Sequence, residues 1–246
     1  MDEPSLDERI ALLTSLLTDP ADDADVPALN GYLGGSQLEK FERDGTPDDL
    51  DASITRLHAV LAVAPGHPDA MYWYHGLGVA YSHRAASSHE IADHSRAVHW
   101  LNRLHDRFSD SDEERDYATV LLMDAHWDRF SAIRYGGACD ARTAFEEADR
   151  VVSAIGGLAV HGDPELKAYA RLLHGLAHLA RFDDGGDRQD LERGIERLEG
   201  ALAVLTPDSP RHALARGWLD DAYRWRAELH PDQSTVDLPN PGAPGQ

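Results

Sequence analysis

A long-period repeat constrains this chain more than any other feature of its sequence. Five amphipathic segments align on one apolar residue each, and successive aligned residues lie 44, 44, 47 and 50 residues apart. A fixed long period is typical of stacked supersecondary units, each of which needs its neighbours to bury its apolar face. The repeat therefore predicts an array of similar units. The aligned residues are Ile10, Ile54, Val98, Phe145 and Ile195.

The units are predicted to be helical, because apolar residues recur at helical spacing in almost every segment. LDERIALLTSLL at 6–17 and LERGIERLEGALAV at 191–204 represent one helix type, and YWYHGLGVAYSHR at 72–84 represents a second type that lies between such segments. Alternating runs bounded by hairpin turns, which would indicate strands, are scarce. We therefore predict an all-α solenoid of about ten helices that occupies residues 1–229 as one domain. The proline-rich segment 230–246 is predicted to be a disordered tail.

Helix boundaries are marked by capping residues, proline and glycine. A capping side chain followed by proline in the first turn is a helix-start signal, because that proline lacks an N–H that the helix would leave unpaired. Glycine is expected to end the preceding helix in several loops, as at Gly45 and Gly186. The predicted capping positions are Asp25, His67, Asp163 and Ser209.

The charge of the chain limits its partners. It has 44 acidic and 23 basic residues, a net charge of −21. Such a chain repels phosphate backbones and anionic membranes, so nucleic acid and membrane partners are not expected, whereas a basic protein or peptide is. No apolar run approaches the length that spans a bilayer, and a single cysteine excludes a disulfide framework. Together with an arginine-rich composition, these features predict a soluble, cytoplasmic protein from a high-GC bacterium.

The helix at 72–84 resembles the first helix of the tetratricopeptide repeat through Tyr74, Leu77, Gly78 and Tyr81. The second-helix pattern of that family is met by Gly194, Ala201 and Pro207. The units here are longer than the family's usual period of about 34 residues. Their long loops resemble those of arrays associated with CHAT peptidases in high-GC bacteria, although this sequence contains no peptidase domain. The resemblance implies a right-handed α-α solenoid of helical hairpins and a role in protein binding.

Gly78 has two possible roles, in helix packing or in a phosphate-binding loop. No predicted strand precedes GLG at 76–78, and the third glycine of a nucleotide-binding motif is missing. We therefore predict that Gly78 lets the neighbouring second helix approach closely.

The resemblance also implies which side chains line a concave inner groove. In that family, residues three before, one after and five after the motif glycine face the groove. Counting from Gly78, and from Met123, Ala177 and Asp220 in the other first helices, places histidines, aspartates and aromatic residues there. The predicted partner-binding groove contains His75, Val79, His83, Asp124, Asp128, His174, His178, Asp221 and Trp225.

Three interpretations of this groove remain open. Its polar residues could simply be solvated, or they could bind a peptide, helix or partner domain, which is the function we predict. Alternatively, His174 and His178, one turn apart, could join Asp124 in a divalent metal site of an enzyme or small-molecule-binding protein. No residue is assigned a catalytic role and no cofactor is expected in the binding interpretation, and the sequence leaves open whether the protein is an enzyme.

Overall fold

The fold is all-α, as predicted. The computed structural model describes residues 4–21, 25–108, 113–136, 140–158 and 160–229, and across these ranges it contains ten helices and no strand. The predicted tail lies outside the described residues. The helices are α1 (Leu6–Thr18), α2 (Val26–Asp44), α3 (Pro47–Val63), α4 (Ala70–Ser88), α5 (Ile91–His105), α6 (Glu113–Tyr135), α7 (Ala141–Gly156), α8 (Pro164–Gly185), α9 (Arg188–Leu202) and α10 (Pro210–Leu229).

The helices belong to two compact units. Unit 1, Met1–Cys139, contains α1 to α6, and unit 2, Asp140–Gln246, contains α7 to α10. Helices pack mainly against their neighbours in sequence, most extensively in the hairpins α2/α3, α4/α5 and α8/α9. The first helices of two successive hairpins, α2 and α4, also contact each other. A single domain over residues 1–229 stays a prediction.

One packing contact recurs in these three hairpins. A glycine of the first helix lies against a leucine of the second, and an added Cβ on the glycine would stand 2.6 to 3.1 Å from that leucine. The contact in α4/α5 lies 44 residues after the one in α2/α3, and the contact in α8/α9 lies a further 97 residues on, which follows the period of the sequence. The predicted role of Gly78 is therefore confirmed. The three pairs are Gly34–Leu57, Gly78–Leu101 and Gly175–Leu198.

Most of the predicted boundary residues act as expected. The side chains of Asp25 and Asp163 accept hydrogen bonds from the first backbone N–H groups of α2 and α8. Gly45 and Gly186 follow α2 and α8 with φ angles of 72° and 70°, a left-handed conformation that glycine adopts without steric cost. The predicted start at His67 is wrong by two residues: α4 is preceded by Asp69, whose backbone N–H donates to Nδ1 of His67 at 3.0 Å.

Candidate ligand-binding face

A buried ion pair joins α8 to α9 at one of the predicted groove positions. Nδ1 of His178 lies 2.9 Å from Oδ1 of Asp190, and Arg181 donates to both oxygens of the same carboxylate at 2.6 and 2.8 Å. Arg181 also donates to Asp149 of α7 at 2.8 Å. Both His178 and Asp190 are buried. The prediction that His178 lines an open groove is therefore corrected, because its side chain faces the second helix α9.

The ion pair fixes the charge states of its members. Burial disfavours the charged form of Asp190, but the hydrogen bonds from Arg181 and His178 hold the pKa of that carboxyl below its ordinary value. Burial lowers the pKa of His178, and the hydrogen bond to Asp190 acts in the opposite direction. The group at neutral pH is thus a carboxylate held by a guanidinium and a neutral imidazole.

An equivalent ion pair between arginine and aspartate joins α4 to α5 in unit 1. Arg84 of α4 donates to both oxygens of Asp93 in α5 at 2.8 and 2.9 Å and to Asp51 of α3 at 3.3 Å. Lys40 of α2 pairs with Asp49 of α3 in the corresponding place. In each hairpin the acid follows the base by nine residues. Because the arrangement recurs in the hairpins α2/α3, α4/α5 and α8/α9, we interpret it as a structural clasp.

His174 lies beside this clasp in unit 2. Its ring stacks on that of His178 with centroids 4.7 Å apart, and a Cβ added to Gly156 of α7 would stand 3.3 Å from its Nε2. Burial, and then the nearby side chains of His178 and Arg197, lower the pKa of His174 to about 4. The imidazole is therefore neutral at physiological pH.

The alternative metal site receives no support from this arrangement. Asp124, its third predicted ligand, is a half-buried residue of α6 in unit 1. Across the described ranges of the chain, no group of three or more His, Cys, Asp or Glu side chains is placed to hold a metal ion.

The side chains of α8 were assigned to the wrong face of the helix, because the motif was aligned two residues away from its actual position. Gly175, not Ala177, takes the place of Gly78 against the second helix. An error of two residues rotates a helix by about 200°, which moves a side chain to the opposite side. In α6, a step of 47 residues from Gly78 leads to Ala125 rather than Met123. Asp128 of that helix is exposed and lies close enough to His94 of α5 to affect its pKa.

In α4 the predicted residues turn towards other first helices. Nε2 of His83 lies 3.1 Å from Oε1 of Glu42 in α2. The ring of His75 approaches that of Tyr117 in α6, with centroids 6.0 Å apart, and Val79 between the two histidines is half-buried. We call the side of unit 1 that carries these residues of α2, α4 and α6 the first-helix face.

A small pocket opens on this face between α4, α5 and α6, and we call it the α4/α6 pocket. Its volume is about 220 Å³, and its lining includes Tyr72, His75, Leu104, Phe108 and Tyr117. Nε2 of His75 is buried and has no hydrogen-bond partner among the described residues. Burial lowers the pKa of His75, so the pocket wall is uncharged there at neutral pH. Its size suits one large side chain rather than a drug-sized ligand, whose sites span about 300–1,000 Å³.

A larger pocket of about 670 Å³ lies between α1, α2 and α4, and we call it the α1/α2/α4 pocket. Gly31 lets the indole of Trp73 lie against the α2 backbone, since a Cβ there would stand 2.0 Å from Nε1 of that indole. Gly35 borders open space, because a Cβ there would meet nothing within 4 Å. The lining includes Arg9, Gly31, Tyr32, Gly35, Glu39, Asp69, Tyr72 and Trp73.

Tyr72 lines both pockets and so connects them. It is 63% exposed, and two further tyrosines of first helices, Tyr32 and Tyr117, are 51% and 52% exposed. Sequence reasoning singled out histidines and aspartates and missed these tyrosines. The available signal was a tyrosine in each of three successive first helices, although its exposure could not be read from spacing alone.

The last two predicted residues lie on α10 in unit 2. Asp221 is half-buried and pairs with Arg224 of the same helix. Trp225 contacts Phe182 of α8, with ring centroids 5.8 Å apart, and Trp218 at 6.5 Å. The contact between Phe182 and Trp225 packs α10 on α8.

Comparison with known proteins yields no assignment, since no protein-family model and no curated protein matches the chain. Among the described residues, no helix is both long enough and apolar enough to cross a membrane.

Proposed function

We propose that this protein is a binding scaffold whose first-helix face in unit 1 holds an extended segment of a partner protein. The observation that carries the proposal is the sharing of Tyr72 by two adjoining pockets. Tyrosine supplies a large, rigid and amphipathic contact surface, and aromatic residues dominate the binding energy of protein interfaces. The resemblance to tetratricopeptide repeats, which the sequence suggests, supports the same role.

The spacing of the pockets favours an extended ligand. Both pockets are lined by residues of α4 and share Tyr72. We take their separation to be about one helix diameter, about 10 Å. A polyproline-like segment advances about 3.1 Å per residue and presents every third side chain on the same side. Side chains at positions i and i+3 of a partner segment therefore match the two pockets.

The charge of the unit favours a basic partner. Unit 1 carries 25 acidic and 11 basic residues, a net charge of −14, whereas unit 2 carries 19 and 12, a net of −7. Complementary charge speeds encounter and excludes acidic competitors. The proposal places this scaffold in the bacterial cytoplasm, in keeping with its composition and its single cysteine.

The test is binding of the full-length protein to fluorescein-labelled synthetic peptides, followed by fluorescence anisotropy. Peptides that repeat the unit Lys-Ser-Ser-Phe are expected to bind, and matched peptides with Glu in place of Lys, or Ser in place of Phe, are expected to bind much more weakly. Tyr72→Ala should raise the Kd about tenfold or more, which corresponds to about 1.4 kcal/mol.

Tyr135→Ala is the matched control, because Tyr135 is similarly exposed at 62% but lies in the last turn of α6 and lines neither pocket. Equal losses in the two variants, or binding of no peptide of the panel, would contradict the proposal.

A further inference from the structure

The α1/α2/α4 pocket combines aromatic walls with carboxylates. Tyr32, Tyr72 and Trp73 provide the rings, and Glu39 and Asp69 provide the acids. We propose that this pocket takes the guanidinium group of an arginine side chain of the partner segment. The inference rests on the proposed function and specifies its main anchor.

Asp69 is positioned for such a ligand. Its Oδ2 accepts a hydrogen bond from the hydroxyl of Tyr32 at 2.8 Å, and its backbone N–H donates to Nδ1 of His67 at 3.0 Å. These hydrogen bonds hold Asp69 in place at the pocket wall. Tyr32 donates to Oδ2 of the carboxylate and not to Oδ1. A guanidinium group can donate to a carboxylate and stack on an aromatic face at the same time, which the ammonium group of lysine does less well.

The charges around the pocket favour a cation. Arg9 donates to Oγ of Ser36 at 3.0 Å and pairs with Glu39, so these two charges offset each other. The carboxylate of Asp69 then supplies the remaining negative charge of the pocket lining. Asp25 lies nearby, in contact with His67. The hydrogen bond to Asp69, then burial, and then the nearby charges of Asp69, Tyr72 and Asp25 raise the pKa of Tyr32.

The pocket has room for the side chain. A volume of about 670 Å³ lies within the range of small-molecule sites, about 300–1,000 Å³, and exceeds that of the α4/α6 pocket of about 220 Å³. Gly35 keeps one wall open, since no atom lies within 4 Å of where its Cβ would stand. A larger side chain at this position would occupy the pocket without meeting the core.

The first experiment uses the full-length protein and a small probe, so that it does not depend on any partner segment. N-acetyl-arginine methylamide is titrated against ¹⁵N-tryptophan-labelled protein, and the indole N–H signal of Trp73 is followed by NMR. The arginine probe is expected to shift this signal in a saturable manner. The citrulline analogue, which has nearly the same shape without the charge, and the glutamate analogue should not. Equal shifts with citrulline, or stronger binding of glutamate, overturn the inference.

Variants then test the named groups. Asp69→Asn keeps an acceptor for Tyr32 but removes the charge, and should weaken arginine binding at least fivefold, whereas Asp106→Asn at the exposed end of α5 should leave it unchanged. Gly35→Leu should abolish binding while preserving the melting temperature. Arg9→Ala frees Glu39 and should tighten binding severalfold, with exposed Arg103→Ala on α5 as the control.

Weaker binding of the arginine probe to Arg9→Ala would contradict the charge argument, and stronger binding of the glutamate probe to the unaltered protein would identify an anion site. If the Lys-Ser-Ser-Phe peptides bind in a Tyr72-dependent manner but an Arg-Ser-Ser-Phe peptide binds no better than its citrulline counterpart, this inference fails and the proposed function stands. If the arginine probe binds and no peptide does, the pocket is retained and the proposed function fails.

Discussion

Leu101 fills the space that a side chain on Gly78 would occupy, since an added Cβ would stand 2.6 Å from both Cγ and Cδ2 of that leucine. Both residues are fully buried between α4 and α5. Gly78 therefore sets the distance between the two helices of the hairpin, and its loss of helix propensity, about 1 kcal/mol relative to alanine, is offset by the packing.

Gly78→Ala is expected to destabilise the protein by about 1–3 kcal/mol, because the methyl group must displace Leu101 in a close-packed core. The free energy of unfolding is measured by urea denaturation. Gly35→Ala is the control, since its Cβ would meet nothing and alanine is the better helix former. Similar stability losses in the two variants would show that the Gly78–Leu101 contact does not limit the hairpin.

Asp190→Ala is expected to cost about 3 kcal/mol or more, because it leaves His178 and Arg181 without the carboxylate that joins them to α9. The exposed pair of Asp220 and Arg216 on α10 provides the comparison, and Asp220→Ala should change the stability by no more than about 0.5 kcal/mol. Thermal and urea unfolding of the two variants measure the difference, and equal effects would rule out the clasp as a stabilising element.

Stability should fall as the pH decreases from about 6.5 towards about 4, and His174 contributes to this fall. Its pKa is about 4 in the folded protein and near 6.5 when the chain is unfolded, so the unfolded state binds more protons in this window. The contribution is fully present above the unfolded pKa. His174→Gln should reduce the pH dependence of the urea midpoint between pH 7 and 4, with exposed His99→Gln on α5 as the control. An unchanged slope in His174→Gln would contradict the neutral state of His174.

Association with basic peptides should slow as salt is added. The Debye length falls from about 10 Å at 0.1 M to about 3 Å at 1 M salt, which screens the negative charge of unit 1 from an approaching ligand. Stopped-flow measurement with the Lys-Ser-Ser-Phe peptide checks the association rate across this range. A rate that does not depend on salt would exclude electrostatic steering while leaving contacts in the two pockets possible.

Local signals made the helices and their start and end points predictable. Aspartate before α2 and α8, proline in their first turns, glycine after them, and helical spacing within them each act over a few residues. The close approach of the second helix at Gly78 was also predictable, because a glycine within an apolar helix has few roles other than close packing; its partner Leu101 was not predicted. The net charge, which favours a basic partner, needs no structure at all.

The direction in which the histidines point was not predictable. Each residue of error in the helical register turns the expected direction of a side chain by about 100°. His174 and His178 were placed on an open groove, whereas packing of α8 turns His178 into the clasp with Asp190. In α4 the packing position of the glycine was predicted correctly, since Gly78 lies against Leu101 of the second helix.

Local signals in the sequence were enough to predict the helices and the repeated hairpin that the described residues form, since caps, glycines and apolar spacing are local and cumulative. The positions of the pockets, by contrast, depend on the packing of the helices. The α1/α2/α4 pocket joins Arg9 to Tyr72, residues 63 positions apart, through the packing of three helices. Such a pocket arises from the volume that side chains leave unfilled between helices, and no spacing of residues along one helix specifies that volume.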